Sequence, residues 1–498
     1  MEQQENKNLK WLILATVMVG TFLGRLDQTV VGLAVPNIIQ DFSITVSSAG
    51  WIATAYILAN AVFVPVWGKL GDTIGRKKVY IMGFLIFILG SVLAGLAWNL
   101  SSLLVFRVIQ AIASSADYPT AMAIIAVTFP SGRERAQALG IWSAVFGASV
   151  VVGPLVGGPL IDMFGWRSVF LINLPVGIIG LVMANTFIKE SVSQVKTKIF
   201  DWWGAITLGG ALAAIVLVLD KGIDWGWLSS ASLLCYAIAS MLLILFIKIE
   251  NTHPEPIVDL KFFKNSVFVN TLANNFIVFM GLMGSVFLIP VFAQQFLGLT
   301  ATGTGYLFMP MAVAMLGAAP LGGALVGRIK TSYVIFASTI VCAFGIFLFT
   351  RLDPRSTAID IVIPMFIMAF GMGFGMAQRT STITAVVPQN EMGAASAVLA
   401  LVRNISGAFG IALFATILNS SIKNNILSIS ANSFVHNPAL KGAATALIIL
   451  KAQVAGYDTV FLIASIVVAL GAFTALFLKL EHKQEIGQRS QEIIPIEI

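Results

Sequence analysis

Apolar residues run nearly unbroken for about twenty positions at a time along this chain, and short polar breaks separate the runs. A helix needs about 20 such residues to cross a bilayer, and that ruler lays down about fourteen spans. They fall near 11–36, 48–68, 79–98, 101–126, 136–161, 168–188, 203–220, 228–248, 267–293, 302–327, 332–350, 357–386, 393–419 and 457–479. An even count puts both chain ends on one side. Lys and Arg gather at the termini and in the loops after even-numbered spans, among them Lys10, Lys69, Lys77, Lys78, Arg133, Arg135, Lys189 and Lys264, while the opposite loops hold few. Basic loops stay in the cytoplasm. The expectation is a multi-pass protein of the cell membrane with both termini cytoplasmic.

The polar breaks at 189–201 and 249–265 divide the pattern into six spans, a pair, and six more. This predicts an N-terminal six-helix bundle over 1–200, a two-helix insert over 201–250 and a C-terminal six-helix bundle over 251–498, an architecture of repeated halves. Residues 420–456 are expected outside the membrane. Their apolar stretch 439–454 is either a surface-lying helix or a re-entrant hairpin, or the segment is an ordered extracellular loop.

Composition narrows the class. Hydrophobic residues make up 58% and charged residues 11%, with mean hydropathy +0.91. A soluble domain carries about 25% charge. The net charge of +7 lies in short loops and gives no nucleic-acid surface. Cys235 and Cys342 lie inside apolar runs, and His253, His436 and His482 are scattered, so no metal site and no disulfide framework is expected. No cofactor is implied, and with no phosphate-cradling Gly-Lys-Ser/Thr loop an ATP-driven device or other enzyme is not expected. The polar first ten residues lack a cleavage-site pattern, so no removable signal peptide is expected.

Charges inside the spans are the candidate chemistry, because ionisable groups in hydrocarbon are expensive and face a partner or a cavity. Asp27 lies in the first span and Arg107 early in the fourth, at similar depth, with Gln110 one helical turn from Arg107. They are either a proton-coupling pair or a structural ion pair. Arg25 and Asp117 also lie inside spans, with Arg25 about 200° around the helix from Asp27. They form a second interhelical pair, or else Asp117 is the main proton carrier and Tyr118 lines the substrate path. Asn274, Asn275, Gln378, Arg379, Arg403 and Asn404 are polar positions of the second half. Between spans two and three lies Gly68-Lys-Leu-Gly-Asp-Thr-Ile-Gly-Arg-Lys-Lys78. Its glycines allow close approach, Asp72 can cap a helix end, and Arg76 holds the loop in the cytoplasm. The fifth span carries Gly153-Pro-Leu-Val-Gly-Gly-Pro159, where small residues permit close packing and Pro154 interrupts the hydrogen-bond ladder.

These runs, with Leu26-Asp-Gln-Thr-Val-Val-Gly-Leu-Ala-Val-Pro36, Arg107-Val-Ile-Gln110 and Trp166-Arg167, resemble the fourteen-span drug:proton antiporter branch of the major facilitator superfamily. The resemblance implies an all-α fold of two six-helix bundles plus the insert, a central cavity, and alternating access. It implies a proton-coupled exporter of amphipathic drugs acting as a monomer. The alternatives are a dedicated metabolite or lipid exporter of the same fold and a facilitator not coupled to protons. Asp27, Asp117 and Arg107 are then expected in proton coupling. Arg25, Gln28, Gln110, Tyr56, Tyr118, Trp142, Phe146, Asn274, Phe276 and Phe374 are expected around the substrate. Gly68, Gly71, Asp72, Gly75, Arg76, Gly153, Pro154, Gly157 and Gly158 are expected in gating. The chain departs from the pattern at Ala111, Ala113 and Ser149, where glycines are usual, and at Arg25 and Asp117, where apolar residues are usual.

Overall fold

The computed structural model describes residues 2–129, 132–191, 201–254, 256–325, 328–387, 392–431 and 441–478, and among these every regular element is helical. The first half comprises α1 (Glu2–Phe42), α2 (Val46–Ile74), α3 (Arg76–Gly95), α4 (Leu100–Ser114), α5 (Asp117–Thr128), α6 (Gly132–Phe164), α7 (Ser168–Leu171) and α8 (Asn173–Phe187). The insert is α9 (Trp202–Trp225) and α10 (Ser230–Thr252). The second half comprises α11 (Ser266–Phe296), α12 (Ala301–Leu307), α13 (Met309–Gly323), α14 (Thr331–Leu348), α15 (Ala358–Ala385), α16 (Met392–Ala431) and α17 (Lys441–Ala472).

Among the described residues, 13 helical stretches are long and apolar enough to cross a bilayer, and α6 adds a shorter apolar stretch, Val152–Phe164. Short helices pair end to end to make single passes: α4 with α5, α7 with α8, and α12 with α13. Polar caps fix where the passes begin. Asn99 and Ser102 form a reciprocal box at the start of α4, Asp201 accepts from Gly204 N at 2.7 Å before α9, and Asn265 caps α11. Of the readings open for 420–456, helix holds on both flanks, since α16 runs on to Ala431 and α17, continuous with the last pass, begins at Lys441. Hydropathy fades where these helices leave the bilayer, yet backbone hydrogen bonding carries them further. Residues 432–440 lie outside the described residues.

The passes alternate, so α1 begins and α17 ends at one membrane face, called the terminal face below; the other is the far face. Helix α2 packs on α16, α6 on α12, and α1 on α11, joining the halves. Helices α9 and α10 pack on each other, and α9 also touches α2 and α16. The largest apolar core spans both halves and lies toward the far face, from Val30 and Ile38 of the first half to Val291, Leu307 and Phe461 of the second. Toward the terminal face the cores split. One belongs to the first half alone, around Tyr80, Ile125 and Trp142. Another joins α2, α9, α11 and α16 at one flank. Among the described residues the halves are thus sealed at the far face, and toward the terminal face they touch at that flank while the remaining first-half core stands apart.

Candidate functional site

The seal is built from glycine. A Cβ on Gly158 would lie 2.4 Å from the Cα of Thr302, and one on Gly305 would lie 2.6 Å from the Pro154 carbonyl oxygen. Helices α6 and α12 therefore meet backbone to backbone. Asp162, at the end of α6, accepts from the N–H groups of Ala301 and Thr302, both at 3.0 Å, where the first turn of α12 leaves them unpaired. Gly153 and Gly157 face the other way, with room only for Thr29 and Val30 of α1. Of the residues expected in gating, Pro154 and Gly158 lie at the α6–α12 contact and Gly153 and Gly157 at α1, and α6 runs through Pro154 and Pro159 as one helix.

Beneath this seal Asp27 and Arg107 meet, with Arg107 Nη1 2.5 Å from Asp27 Oδ2 and neither side chain more than 2% exposed. Gln110 joins both partners: its oxygen accepts from Arg107 at 2.5 Å, and its Nε2 donates to Asp27 Oδ1 at 2.9 Å. Two residues outside the candidate site set complete the cluster. Asn173 of α8 donates to Asp27 Oδ1 at 3.0 Å, and Ser91 of α3 accepts from Gln110 at 2.6 Å and from Asn173 at 3.2 Å. The Tyr56 ring lies 4.0 Å from the Arg107 guanidinium, and its hydroxyl donates to Ser114 at 2.7 Å. Three helices of the first half are tied through one carboxylate, and Ser91 adds a fourth through Gln110 and Asn173. Room for it comes from α3, where Gly90 packs on the Gln110 backbone and Gly83 on Ala116. Glycine on α3 supplies the close approach that the alanines at 111 and 113 give up.

Arg25 and Asp117 stand on packed helices, α1 and α5, and each hydrogen-bonds to a residue of α1. Arg25 donates to Gln28 at 3.1 Å. Asp117 Oδ2 accepts from the Thr21 hydroxyl at 2.8 Å, and that hydroxyl accepts from Trp142 Nε1 at 2.9 Å. The other oxygen, Oδ1, is buried with no hydrogen-bond partner, beside Gly20 in a small pocket lined by Gly24, Gly83 and Tyr80. Tyr118 is 44% exposed and packs against Trp142 with ring centroids 5.4 Å apart.

Several expected cavity residues are placed differently. Gln110 and Asn274 are fully buried within their own half-bundles, and Tyr56 is sealed behind Arg107. Asn274 accepts from Arg379 Nε at 2.8 Å and donates to the Gly471 carbonyl at 3.0 Å, while Arg379 Nη2 donates to Thr339 at 3.0 Å. This cluster draws on the same helix positions in the second half as Asp27, Arg107 and Ser91 do in the first, yet it sits about 9 Å from the terminal end of α15, whereas Arg107 sits about 10 Å from the far end of α4. Trp142 is buried and backs Tyr118. Phe276 packs edge-on against Phe409, and Phe374 stacks on Phe370; both are half-buried. The side chains of Phe146, Gly68 and Asp72 lie outside the described residues.

Around the first motif, Gly71 lies beside Thr120 and Arg76, and Gly75 has φ +112, a conformation that side chains disfavour. The Glu190 carboxylate, beyond the end of α8, fills the space beside Gly75 and accepts from the N–H groups of Lys77 and Lys78 at 3.1 and 3.2 Å. Arg76 N donates to the Ser191 carbonyl at 3.0 Å. Glu190 is thus the acid that caps α3, and its position just past an apolar run is the only signal the sequence offered.

The sequence profile of the Major Facilitator Superfamily matches residues 17–411. The chain is similar to the multidrug transporter protein MdtP of Bacillus subtilis (strain 168), 32% identical over 85% of this chain and 78% of that protein. It is also similar to the riboflavin transporter RibZ of Clostridioides difficile (strain 630), 30% identical over 84% of this chain and 90% of that protein. Among solved structures, the inward-facing, unoccupied form of a bacterial homolog to the human lysosomal transporter Spinster aligns with TM-score 0.66 and 18% identity, covering 95% of this chain and 99% of that one.

Proposed function

For this chain, which belongs to the Major Facilitator Superfamily of transporters, we propose proton-coupled export of amphipathic small molecules by alternating access across the cell membrane. The terminal face is then cytoplasmic and the far face external, with the protein acting as a monomer. The observation that carries the reading is the asymmetry of the core: sealed through Gly158, Gly305 and Asp162 at the far face, parted toward the terminal face, with a buried carboxylate tied to Arg107 below the seal. A cargo enters the cleft from the terminal side. The loaded carrier opens to the far face with Asp27 ionised; there an entering proton neutralises Asp27, weakens its hold on Arg107, loosens the tie between α1 and α4 so that cargo is released, and is carried back as the far face closes. Asp117, with one unpartnered oxygen, is the second acid able to take a proton.

The multidrug name of MdtP supports a broad substrate range. The RibZ similarity supports a second reading, a dedicated metabolite exporter on the same frame. The test is dye efflux from proteoliposomes under an imposed pH gradient, comparing wild type with Asp27→Asn and Asp117→Asn. Loss of gradient-driven efflux in Asp27→Asn, with retained dye exchange in the absence of a gradient, is the expected result. Wild-type efflux indifferent to the gradient refutes proton coupling and leaves facilitated transport.

A further inference from the structure

The two carboxylate oxygens of Asp117 have different surroundings, and the bonds around them fix which one takes a proton. The Trp142 indole N–H can only donate, so it occupies an acceptor lone pair of the Thr21 hydroxyl. Thr21 gives its single hydrogen to Asp117 Oδ2, at 2.8 Å. Oδ2 is held as an acceptor, and a proton loaded on this carboxylate falls on Oδ1. That oxygen is buried without a hydrogen-bond partner. It borders a cavity of about 30 Å³ whose wall includes Gly20, Gly24, Tyr80, Gly83 and Ser114. A Cβ on Gly20 would overlap the Tyr80 hydroxyl and lie 2.9 Å from Asp117 Oδ1, so both oxygens edge the space this glycine leaves. Tyr80 directs its own hydrogen to the Thr16 carbonyl at 3.2 Å, which leaves its lone pairs for the cavity. Ser114 gives its hydrogen to the Ala111 carbonyl at 3.0 Å and accepts from Tyr56 and Asn60. Among these groups two acceptors are free and no donor is, which suits an occupant that donates twice. The volume holds one or two waters, since one needs about 10–15 Å³. The open side is at Gly24, half-buried, where a Cβ would meet nothing within 4 Å. Its half-buried neighbours on α1, Arg25 and Gln28, are polar, so this side faces the cleft and not the bilayer.

We infer that this cavity is a proton port: a hydrated site in which water bridges Asp117 Oδ1 and Tyr80 and exchanges a proton with the cleft past Gly24. The inference rests on the proton-coupled reading and names where protons pass on the terminal side. In the loading step a hydronium in the cavity gives its proton to Oδ1 and becomes water, and the neutral carboxyl still accepts from Thr21. In the reverse step the water takes that proton back and Asp117 is again an anion, solvated by the water. Among the described residues of the elements packed on α5, Arg25 of α1 and Tyr80 of α3 are the titratable groups whose charge acts on Asp117. Ser114 links the cavity wall to the Asp27 cluster, since it accepts from Tyr56, whose ring lies 4.0 Å from the Arg107 guanidinium. The port therefore lies next to the cluster whose carboxylate brings the proton from the far face.

The experiment is pH-difference infrared spectroscopy of the purified protein in lipid nanodiscs, in ordinary and in heavy-oxygen water. Two bands are expected: the C=O stretch of a protonated carboxyl that Asp117→Asn removes, and an O–H stretch of internal water that moves in heavy-oxygen water. A helical side chain leans back over the preceding turn, so Gly24→Leu projects into the space beside Gly20. It should abolish the water band and slow deuterium exchange of the Asp117 carboxyl at least tenfold. Gly24→Ala, whose methyl meets nothing within 4 Å, should fold as wild type and weaken the water band. Tyr80→Phe should shift that band by removing one acceptor. If Asp117→Asn removes no carboxyl band, or if the water band is unchanged in both Gly24 variants and in Tyr80→Phe, the port is overturned. Gradient-driven efflux is scored separately: if wild type shows none while both bands are present, the coupling reading fails and the port stands.

Discussion

Removing one member of the Asp27–Arg107 pair should cost far more than removing both. Asp27→Leu takes away the acceptor of three hydrogen bonds, from Arg107, Gln110 and Asn173, and strands a guanidinium in a cluster with no more than 2% exposure. Breaking a buried ion pair from one side costs about 3–5 kcal/mol, whereas replacing both partners by apolar groups is often close to neutral. Gln110 and Asn173 keep Ser91 as a partner in either case. At about 2.1 cal/mol/K per residue, a chain of this length has an unfolding entropy near 1 kcal/mol/K, so the single variants should each lose about 3–5 °C in Tm. Asp27→Leu with Arg107→Leu should return to within about 2 °C of wild type. Thermal unfolding of detergent-purified protein, followed by fluorescence, reads all four corners of this double-mutant cycle. If the two single losses simply add in the double variant, the residues do not act as a unit and the cluster is not held by its ion pair.

Gly158→Ala should force α6 and α12 apart, since its Cβ would sit 2.4 Å from the Thr302 Cα. Overpacking costs about 1–3 kcal/mol, a factor of about 5–150 in the closed population, read as faster impermeant-maleimide labelling of an Ala301→Cys reporter, whose position is 3% exposed behind the seal; unchanged labelling would count against the seal. Gly75→Ala meets both the positive φ and the Glu190 carboxylate, and should cut the transport rate at least tenfold, while Glu190→Gln, which keeps the shape and loses the charge at the start of α3, should fall between it and wild type. Equal activity in all three proteins would remove that loop from the cycle. Arg379→Met should leave Tm within about 2 °C of wild type, because the buried guanidinium has only neutral partners to lose and sheds its own desolvation cost. A loss as large as that of Arg107→Leu would show that Arg379 is paired with an acid after all.

The spans were legible because a bilayer imposes a one-dimensional rule: each crossing must be apolar over its whole length. Asp27 and Arg107 were legible for the converse reason, since opposite charges at similar depth have few places to go. Ser91 and Asn173 escaped because a small neutral group in a span reads as ordinary helix packing. Asn274 was assigned to the cavity and is found inside its half-bundle, because helical phase without a neighbour's position does not say which side faces the cleft. Tyr56 and Gln110 were drawn inward by Arg107 for the same reason. Glu190 lies beyond its span, where hydropathy has no say. For 420–456 the sequence leaves helix, hairpin and loop open, because a helix outside the bilayer needs only its backbone bonds and modest propensity and leaves no hydropathy signature.

The two buried arginine clusters sit at opposite depths, and this makes the halves unlike levers. In the first half the rivet is near the far face; toward the terminal face the same helices surround a small pocket lined by Gly20, Gly24 and Gly83. In the second half the rivet through Arg379 is near the terminal face, and toward the far face its described helices meet through an apolar core that includes the rings of Phe292, Phe349, Tyr457 and Phe461. A rocking stroke therefore bends each arm at a different end. In the proposed export cycle the first half would yield where cargo enters and the second where cargo leaves, so the load would pass from one compliant end to the other across the thickness of the membrane.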